Sequence, residues 1–339
     1  MKILIIQLRR IGDILLTTPA VSFLRKKFPE AQIDFLCESM GLEVLKNNPY
    51  LNDILIYDKN KPLEQIRIVR QKKYDVIFDF LNNPRTSYLS ALSGAKETVG
   101  FNSSFRSFLY KKRIPVPKAP EYVPKRKIRM IQEWLGETEQ TTDPLTPQLF
   151  LINEDEKFAL DWMKKENLTS KSFTILVPAH RHPIRAWKGS GFREVGLDLV
   201  DRRKEKVFLA WGPGEEDVIA KVRQGIESKL PILPPTHLRQ MAAIFKEAKL
   251  VVTNDSGAMH LAVAVKVPTV TIYGPTRPID WNPSLSGDVE AGRIHKVINL
   301  IELDCLGCHL SVCPIGHLCM ENLNEKKVLE KVDQLLEEN

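Results

Sequence analysis

Short β-branched runs alternate with segments of helical spacing along nearly the whole chain, and this rhythm restricts the fold more than any other feature. Strand-like runs fall at residues 2–7, 32–37, 54–57 and 74–80, with helical patterns at 14–28, 41–47 and 62–71 between them. Strands separated by helices cannot pair as hairpins, so the alternation predicts parallel sheets built from right-handed crossovers. The rhythm breaks over residues 114–147, where Pro115, Pro117, Pro120, Pro124, Pro144 and Pro147 surround one helix at 124–135. It then resumes with strands at 173–177, 206–209, 250–253 and 269–273 and helices at 154–166, 192–203, 215–227, 238–247 and 257–265. A chain of 339 residues exceeds one core and suits two domains of roughly 150 residues each. The expected organisation is an α/β domain over 1–150, a second over 151–323 and a closing amphipathic helix over 324–339, with the two parallel sheets facing a central cleft.

Composition narrows the class. Apolar residues make up 43% and charged residues 27%, as in an ordinary globular protein. No apolar run approaches the roughly 18 residues of a membrane helix. The opening Ile3-Leu4-Ile5-Ile6 is too short for a secretory leader core and leads into Arg9, Arg10 and Asp13, so cytoplasmic residence is expected. The net charge is +7, and ten Lys or Arg fall between Lys96 and Gly136. Such a stretch is either a solvated loop and helix face or a landing site for a phosphate-rich partner.

Common nucleotide signatures are missing. No Gly-x-x-x-x-Gly-Lys-Ser/Thr loop occurs, and Gly212-Pro213-Gly214 is no dinucleotide fingerprint because Asp217 stands where the third glycine belongs. What remains is Thr253-Asn254-Asp255-Ser256-Gly257-Ala258-Met259-His260, placed between a strand and an apolar helix. Unpaired N–H groups at a helix start favour anions, Gly257 lets a phosphate approach the backbone, and Ser256 adds a hydroxyl. Capping by Asp255 or Ser256 is the plainer role and is compatible with phosphate binding. Gly12-Asp13 occupies the matching turn after the first strand, at the strand ends where parallel sheets gather ligands. Pro19 after Thr17 and Thr18 suits a first helical turn, which would leave Asp13 on a preceding turn with a freer side chain.

These residues resemble a known family. Arg10-Ile11-Gly12-Asp13-Ile14-Leu15-Leu16-Thr17-Thr18-Pro19-Ala20 is similar to the opening motif of bacterial ADP-heptose:lipopolysaccharide heptosyltransferases. Asn254-Asp255-Ser256-Gly257 through His260-Leu261-Ala262, on to Pro268-Thr269 and Tyr273-Gly274-Pro275-Thr276, resembles their donor motif. The resemblance covers nearly the whole chain and implies a GT-B fold, with two Rossmann-like domains, the acceptor on the first and the nucleotide-sugar on the second. It implies Asp13 as general base and Ser256 and Gly257 on the donor diphosphate, with Asp255 and His260 adjacent. Arg185, before Trp187, takes the place of a phosphate-binding Lys; an Arg fork is compatible with that role. His180 and Arg181 stand where some members have two threonines, and the ribose-binding acid falls on Glu215 or its neighbour Glu216, with Glu215 favoured. Arg10 beside Asp13 and the basic run Lys111, Lys112 and Arg113 are the acceptor-side candidates.

Cys305, Cys308, Cys313 and Cys319 form Cys-x2-Cys-x4-Cys-x5-Cys with His309 and His317 interleaved, a spacing that suits a metal; Cys37 stands alone. A similar segment recurs in the family without an established catalytic metal, so plain thiols and no cofactor are expected, with a structural zinc or iron–sulfur site as the alternative. No Asp-x-Asp motif stands near the donor segment, leaving cationic residues and a helix start to take a metal's role. The implied activity is inverting transfer of heptose from ADP-heptose to a phosphorylated lipid A-core acceptor at the inner membrane surface, by a cytoplasmic and peripheral enzyme. Alternatives are another nucleotide-sugar, or a non-catalytic nucleotide or nucleic-acid binder. The binder leaves Asp13 idle, and no nucleic-acid module is evident.

Overall fold

In the computed structural model, which describes residues 1–137, 143–300 and 303–338, the first apolar run forms β1 (Lys2–Ile6), buried along all but its first residue. The following strands are β2 (Gln32–Cys37), β3 (Asp53–Ile56), β4 (Val76–Asp79), β5 (Glu97–Phe101) and β6 (Lys112–Ile114). They form one sheet in the order β3-β2-β1-β4-β5-β6, with every pair parallel. Strand order reverses between β1 and β4, which makes the carboxyl ends of those two strands the flanks of a ligand crevice. One face of the sheet is sealed by Leu4, Ile6, Ile77, Tyr74 and Leu89, all buried.

The second sheet is built the same way from β7 (Phe173–Val177), β8 (Lys206–Leu209), β9 (Leu250–Asn254), β10 (Thr269–Ile272) and β11 (His295–Ile298). Its order is β11-β10-β9-β7-β8, again all parallel, with the reversal between β7 and β9. Leu176, Trp187, Phe192, Val252 and Ile272 form its core, and Val328, Val332 and Leu335 of the helix Glu325–Glu337 close over it. The closing helix is therefore part of this unit's core. The chain divides into Met1–Phe150 and Leu151–Asn339.

Three expectations need correction. The pattern at 14–28 is two helices, Ile11–Leu15 and Thr18–Lys27, and Asp13 lies inside the first. Residues 81–114, where the sequence pattern gives no strand or helix, contain the helix Pro84–Leu92, β5 and β6. Gly100 obscured β5, yet it is needed there: a Cβ would lie 2.5 Å from the Tyr110 ring. The strand β11 also escaped the sequence reading. Part of the proline-rich stretch, residues 138–142, and Asn339 lie outside the described residues.

Candidate functional site

Asp13 sits where β1 hands over to the first short helix, at the reversal point of the first sheet. Its carboxylate accepts the backbone N–H of Arg10 at 3.3 Å, so the side chain closes its own turn and is less free than expected. Its carbonyl accepts Thr17 Oγ1 at 2.7 Å and Lys127 Nζ at 2.9 Å.

Lys127 is the residue that reading the basic stretch as solvent-facing missed. It is buried at 5% exposure, with Nζ also donating to Thr17 Oγ1 at 2.6 Å and Gln7 Oε1 at 3.3 Å and lying 5.7 Å from the Phe80 ring centre. Burial pushes its ammonium down to about 7, opposed by the Asp13 charge and assisted by Arg126. Spacing carried the signal: Val123, Pro124, Lys127, Ile128 and Ile131 follow the apolar face of the helix Val123–Leu135.

The acceptor candidates separate. Arg10 is exposed beside Asp13. Lys111 Nζ instead donates to the carbonyls of Ala95 and Lys96, just before β5, and Lys112 Nζ to the carbonyl of Trp134 near its helix end. Both ammonium groups are thus held at the amino edge of the sheet, opposite Asp13. Arg113 pairs with Gly100 in the ladder and is exposed.

In the second unit the donor candidates converge on the reversal point between β7 and β9. Asn254 ties the two loops together: Nδ2 donates to the Pro178 carbonyl at 2.9 Å and Oδ1 accepts the Trp187 N–H at 2.9 Å. Trp187 Nε1 donates to the Leu323 carbonyl at 3.1 Å. His180 Nδ1 accepts the His182 N–H at 2.8 Å, which leaves Nε2–H to donate to the Asp255 carbonyl at 2.8 Å. Burial first, then the Arg185 charge, lowers His180 to about 4, so the ring is neutral.

Asp255 is buried and accepts Thr276 Oγ1 at 2.6 Å. Burial raises its pKa, against the Thr276 hydrogen bond and the positive charge of Arg185. Half-buried Arg185, on the turn Pro183–Arg185, has no hydrogen bond or ion pair from its guanidinium among the described residues. Ser256 caps the helix Gly257–Ala264 through Oγ, which accepts the Ala258 N–H at 3.2 Å and keeps its own hydrogen for a ligand. A Cβ on Gly257 would meet nothing within 4 Å, so open space adjoins the start of this helix. His260 is buried one turn on, 6.2 Å from the Trp281 ring. Glu215 follows β8 on the same edge; its Oε2 accepts the Gly212 N–H at 2.8 Å across a turn that needs Gly214 at φ +85°.

The cysteine segment buttresses these loops. His309 N–H donates to the Pro275 carbonyl at 2.7 Å, and the His317 ring bonds the Ile184 carbonyl. The His317 N–H donates to Cys313 Sγ at 3.2 Å. Burial and the neighbouring cysteines push Cys319 up to about 11. Among the described residues no group of three or more His, Cys, Asp or Glu is placed to hold a metal ion.

Comparison with known proteins decides the class. Residues 63–296 match the sequence model of glycosyltransferase family 9 (heptosyltransferase). The chain belongs to this family. It is a glycosyltransferase of the heptosyltransferase type. Lipopolysaccharide heptosyltransferase 3 of Escherichia coli K12 is 26% identical over 334 residues, covering 89% of this chain and 92% of that protein. The crystal structure of a family 9 glycosyltransferase from Veillonella parvula superposes with a TM-score of 0.84 at 22% identity, covering 100% of this chain and 97% of that one. E. coli heptosyltransferase WaaC, solved with ADP, gives a TM-score of 0.72 at 19% identity, covering 100% and 99%. The expected GT-B class, two parallel α/β units, is thus the class of the family 9 structures. No helix among the described residues is long and apolar enough to cross a membrane.

Proposed function

We propose that this family 9 enzyme transfers heptose, with inversion, from ADP-heptose to a sugar of the lipopolysaccharide inner core carried on a phosphorylated lipid. The observation that carries the reading is the anion cradle at the β7–β9 reversal. The Arg185 guanidinium, without a hydrogen bond among the described residues, the capped start of the helix Gly257–Ala264 and the open face of Gly257 form it. An oriented helix start and a cation stabilise a leaving diphosphate because its charge grows as the glycosidic bond breaks. Ser256 and Gly257 take the diphosphate, with Asp255 and His260 shaping the cradle, and Glu215 takes the ribose. The names of the relatives support the lipopolysaccharide acceptor, and the ADP held by WaaC supports the adenine nucleotide.

On the acceptor side Asp13 is the base. A lone pair of the acceptor hydroxyl attacks the anomeric carbon, the hydroxyl proton passes to the Asp13 carboxylate, and the bond from that carbon to the β-phosphate oxygen breaks to release ADP. Arg10, exposed beside Asp13, contacts the anionic acceptor. Lys111 and Lys112 are omitted from the acceptor set because their ammonium groups are spent on backbone carbonyls at the other edge of the sheet.

A thermal-shift screen of ADP, UDP, GDP and CMP sugars, followed by product analysis with the preferred donor, tests the assignment. ADP-heptose should give the largest shift and a product of inverted anomeric configuration. A larger shift and turnover with a uridine or guanosine sugar would refute the donor, and a retained configuration would refute the mechanism.

A further inference from the structure

One short region is strongly unbalanced in charge. Residues 81–118 hold seven Lys or Arg and a single acidic residue, Glu97, so this stretch alone carries six of the seven net charges. Glu97 is bound to the Trp134 indole at the amino end of β5. Arg85, 3.9 Å from the Glu38 carboxylate, and Arg113 and Lys118 are exposed, whereas Lys96 is ion-paired with Asp75 and the Lys111 and Lys112 ammonium groups are bound to carbonyls at the amino edge of the sheet.

The same region carries an unusual concentration of exposed large apolar side chains. Phe105 is 78% and Phe108 65% exposed on the turn Phe105–Leu109, and Tyr88 is 53% and Leu92 52% exposed on the helix Pro84–Leu92, against which that turn packs. Tyr88 and Leu92 stand one helical turn apart, so they share a face, with Arg85 one turn earlier. Arg106 lies over the Phe105 ring at 5.1 Å, a cation on an aromatic that would otherwise meet only water. The loop leads away from the carboxyl end of β5, where Asn82 Nδ2 donates to the Phe101 carbonyl. The patch therefore starts on the sheet edge that carries Asp13.

We infer that Tyr88, Leu92, Phe105 and Phe108, with Arg85, Arg106, Arg113 and Lys118, form the surface by which this protein docks on an anionic lipid bilayer. The inference deepens the proposed function, since an enzyme acting on a lipid-borne sugar must work at such a surface. Aromatic side chains rimmed by Lys and Arg match the two layers of a bilayer interface: rings enter the acyl boundary while cations remain with the phosphates. A second copy of the chain is a poorer occupant, because a two-fold contact would set this charge against itself.

The test is cosedimentation of the full chain with vesicles, without nucleotide or acceptor, so that it is read independently of sugar transfer. The protein should bind vesicles of phosphatidylethanolamine and phosphatidylglycerol, bind phosphatidylcholine vesicles weakly, and keep part of its binding at high salt. Phe105→Ser with Phe108→Ser should lose about tenfold or more in vesicle affinity while ADP affinity, the check on folding, is unchanged. Phe108→Trp, a milder change, should be quenched by brominated lipid. Failure of the wild-type protein to bind anionic vesicles, an unweakened double variant, or an unquenched Trp would each overturn the inference. So would a wild-type dimer that the double variant abolishes, which would make the patch a contact between copies, and so would an acidic protein that displaces the chain from vesicles only through this patch while lipid leaves Trp unquenched.

Discussion

At the scale of single residues, Asp13 and Lys127 form one device. A sugar hydroxyl is a weak nucleophile at neutral pH, and general-base help is typically worth about 10²–10⁴ in rate. Asp13→Asn keeps the hydrogen bond to the Arg10 N–H but cannot take a proton, so kcat should fall by about 10² or more with ADP affinity and melting temperature little changed. If Asp13 only capped its turn, the Asn enzyme would keep most of its kcat at saturating substrates. Lys127 acts through the main chain, tying the Asp13 carbonyl to Thr17 and Gln7. Its folded pKa, lowered to about 7, lies below that of an ordinary lysine, so between these values the unfolded chain binds the extra proton. Stability should therefore rise with pH from about 7 towards the ordinary lysine range. Lys127→Met should abolish that slope in denaturant titrations at several pH values and lower kcat about tenfold through loss of positioning. An unchanged slope would place the Lys127 charge elsewhere. Asp13 was legible because its turn follows a strand end. Lys127 was not, because counting charges along a sequence ignores which helical face each one occupies.

At the scale of elements, the switch points explain what the sequence could show. The β7–β9 reversal places the loop after β7 beside the start of the helix Gly257–Ala264, and Asn254 fixes the two with its own amide. The alternation of runs foretold parallel sheets, but strand order depends on which crossovers fold back, and that lies in tertiary packing. Short strands were the hardest to see: β6 is three residues, two of them basic, and is a strand only because β5 lies beside it. Two substitutions probe the cradle these elements make. Gly257→Val meets no protein atom at its Cβ, so the fold should tolerate it while the side chain takes the phosphate space. ADP affinity by calorimetry should drop at least about 30-fold, that is about 2 kcal/mol, with a melting temperature near wild type. Arg185→Ala should cost roughly 1.5–3 kcal/mol of ADP binding by removing a charge-assisted contact. Unchanged ADP affinity in either folded variant would remove that residue from the cradle.

At the scale of the whole molecule, the chain is two units with separate sheets and cores. All the donor candidates, from Arg185 to His260, belong to the second unit, while Asp13, Lys127 and the basic apolar patch belong to the first. That partition makes a prediction about where a nucleotide is felt. A ligand at 100 times its Kd stabilises the state that binds it by about 2.7 kcal/mol, and amide exchange reports which hydrogen bonds share in that gain. Saturating ADP should slow exchange in residues 178–188, 255–258 and 273–277, where the β7 loop, the helix start and the Thr276 contact meet. The cysteine segment should follow, because the His309 N–H is bound to the Pro275 carbonyl and the His317 ring to that of Ile184. Amides of the first short helix and of the turn Phe105–Leu109 should exchange as in the free protein, since their hydrogen bonds close within Met1–Phe150. Protection by ADP confined to the Asp13 turn, with the β7 loop unaffected, would place the nucleotide on the wrong unit and reverse the assignment of donor and acceptor.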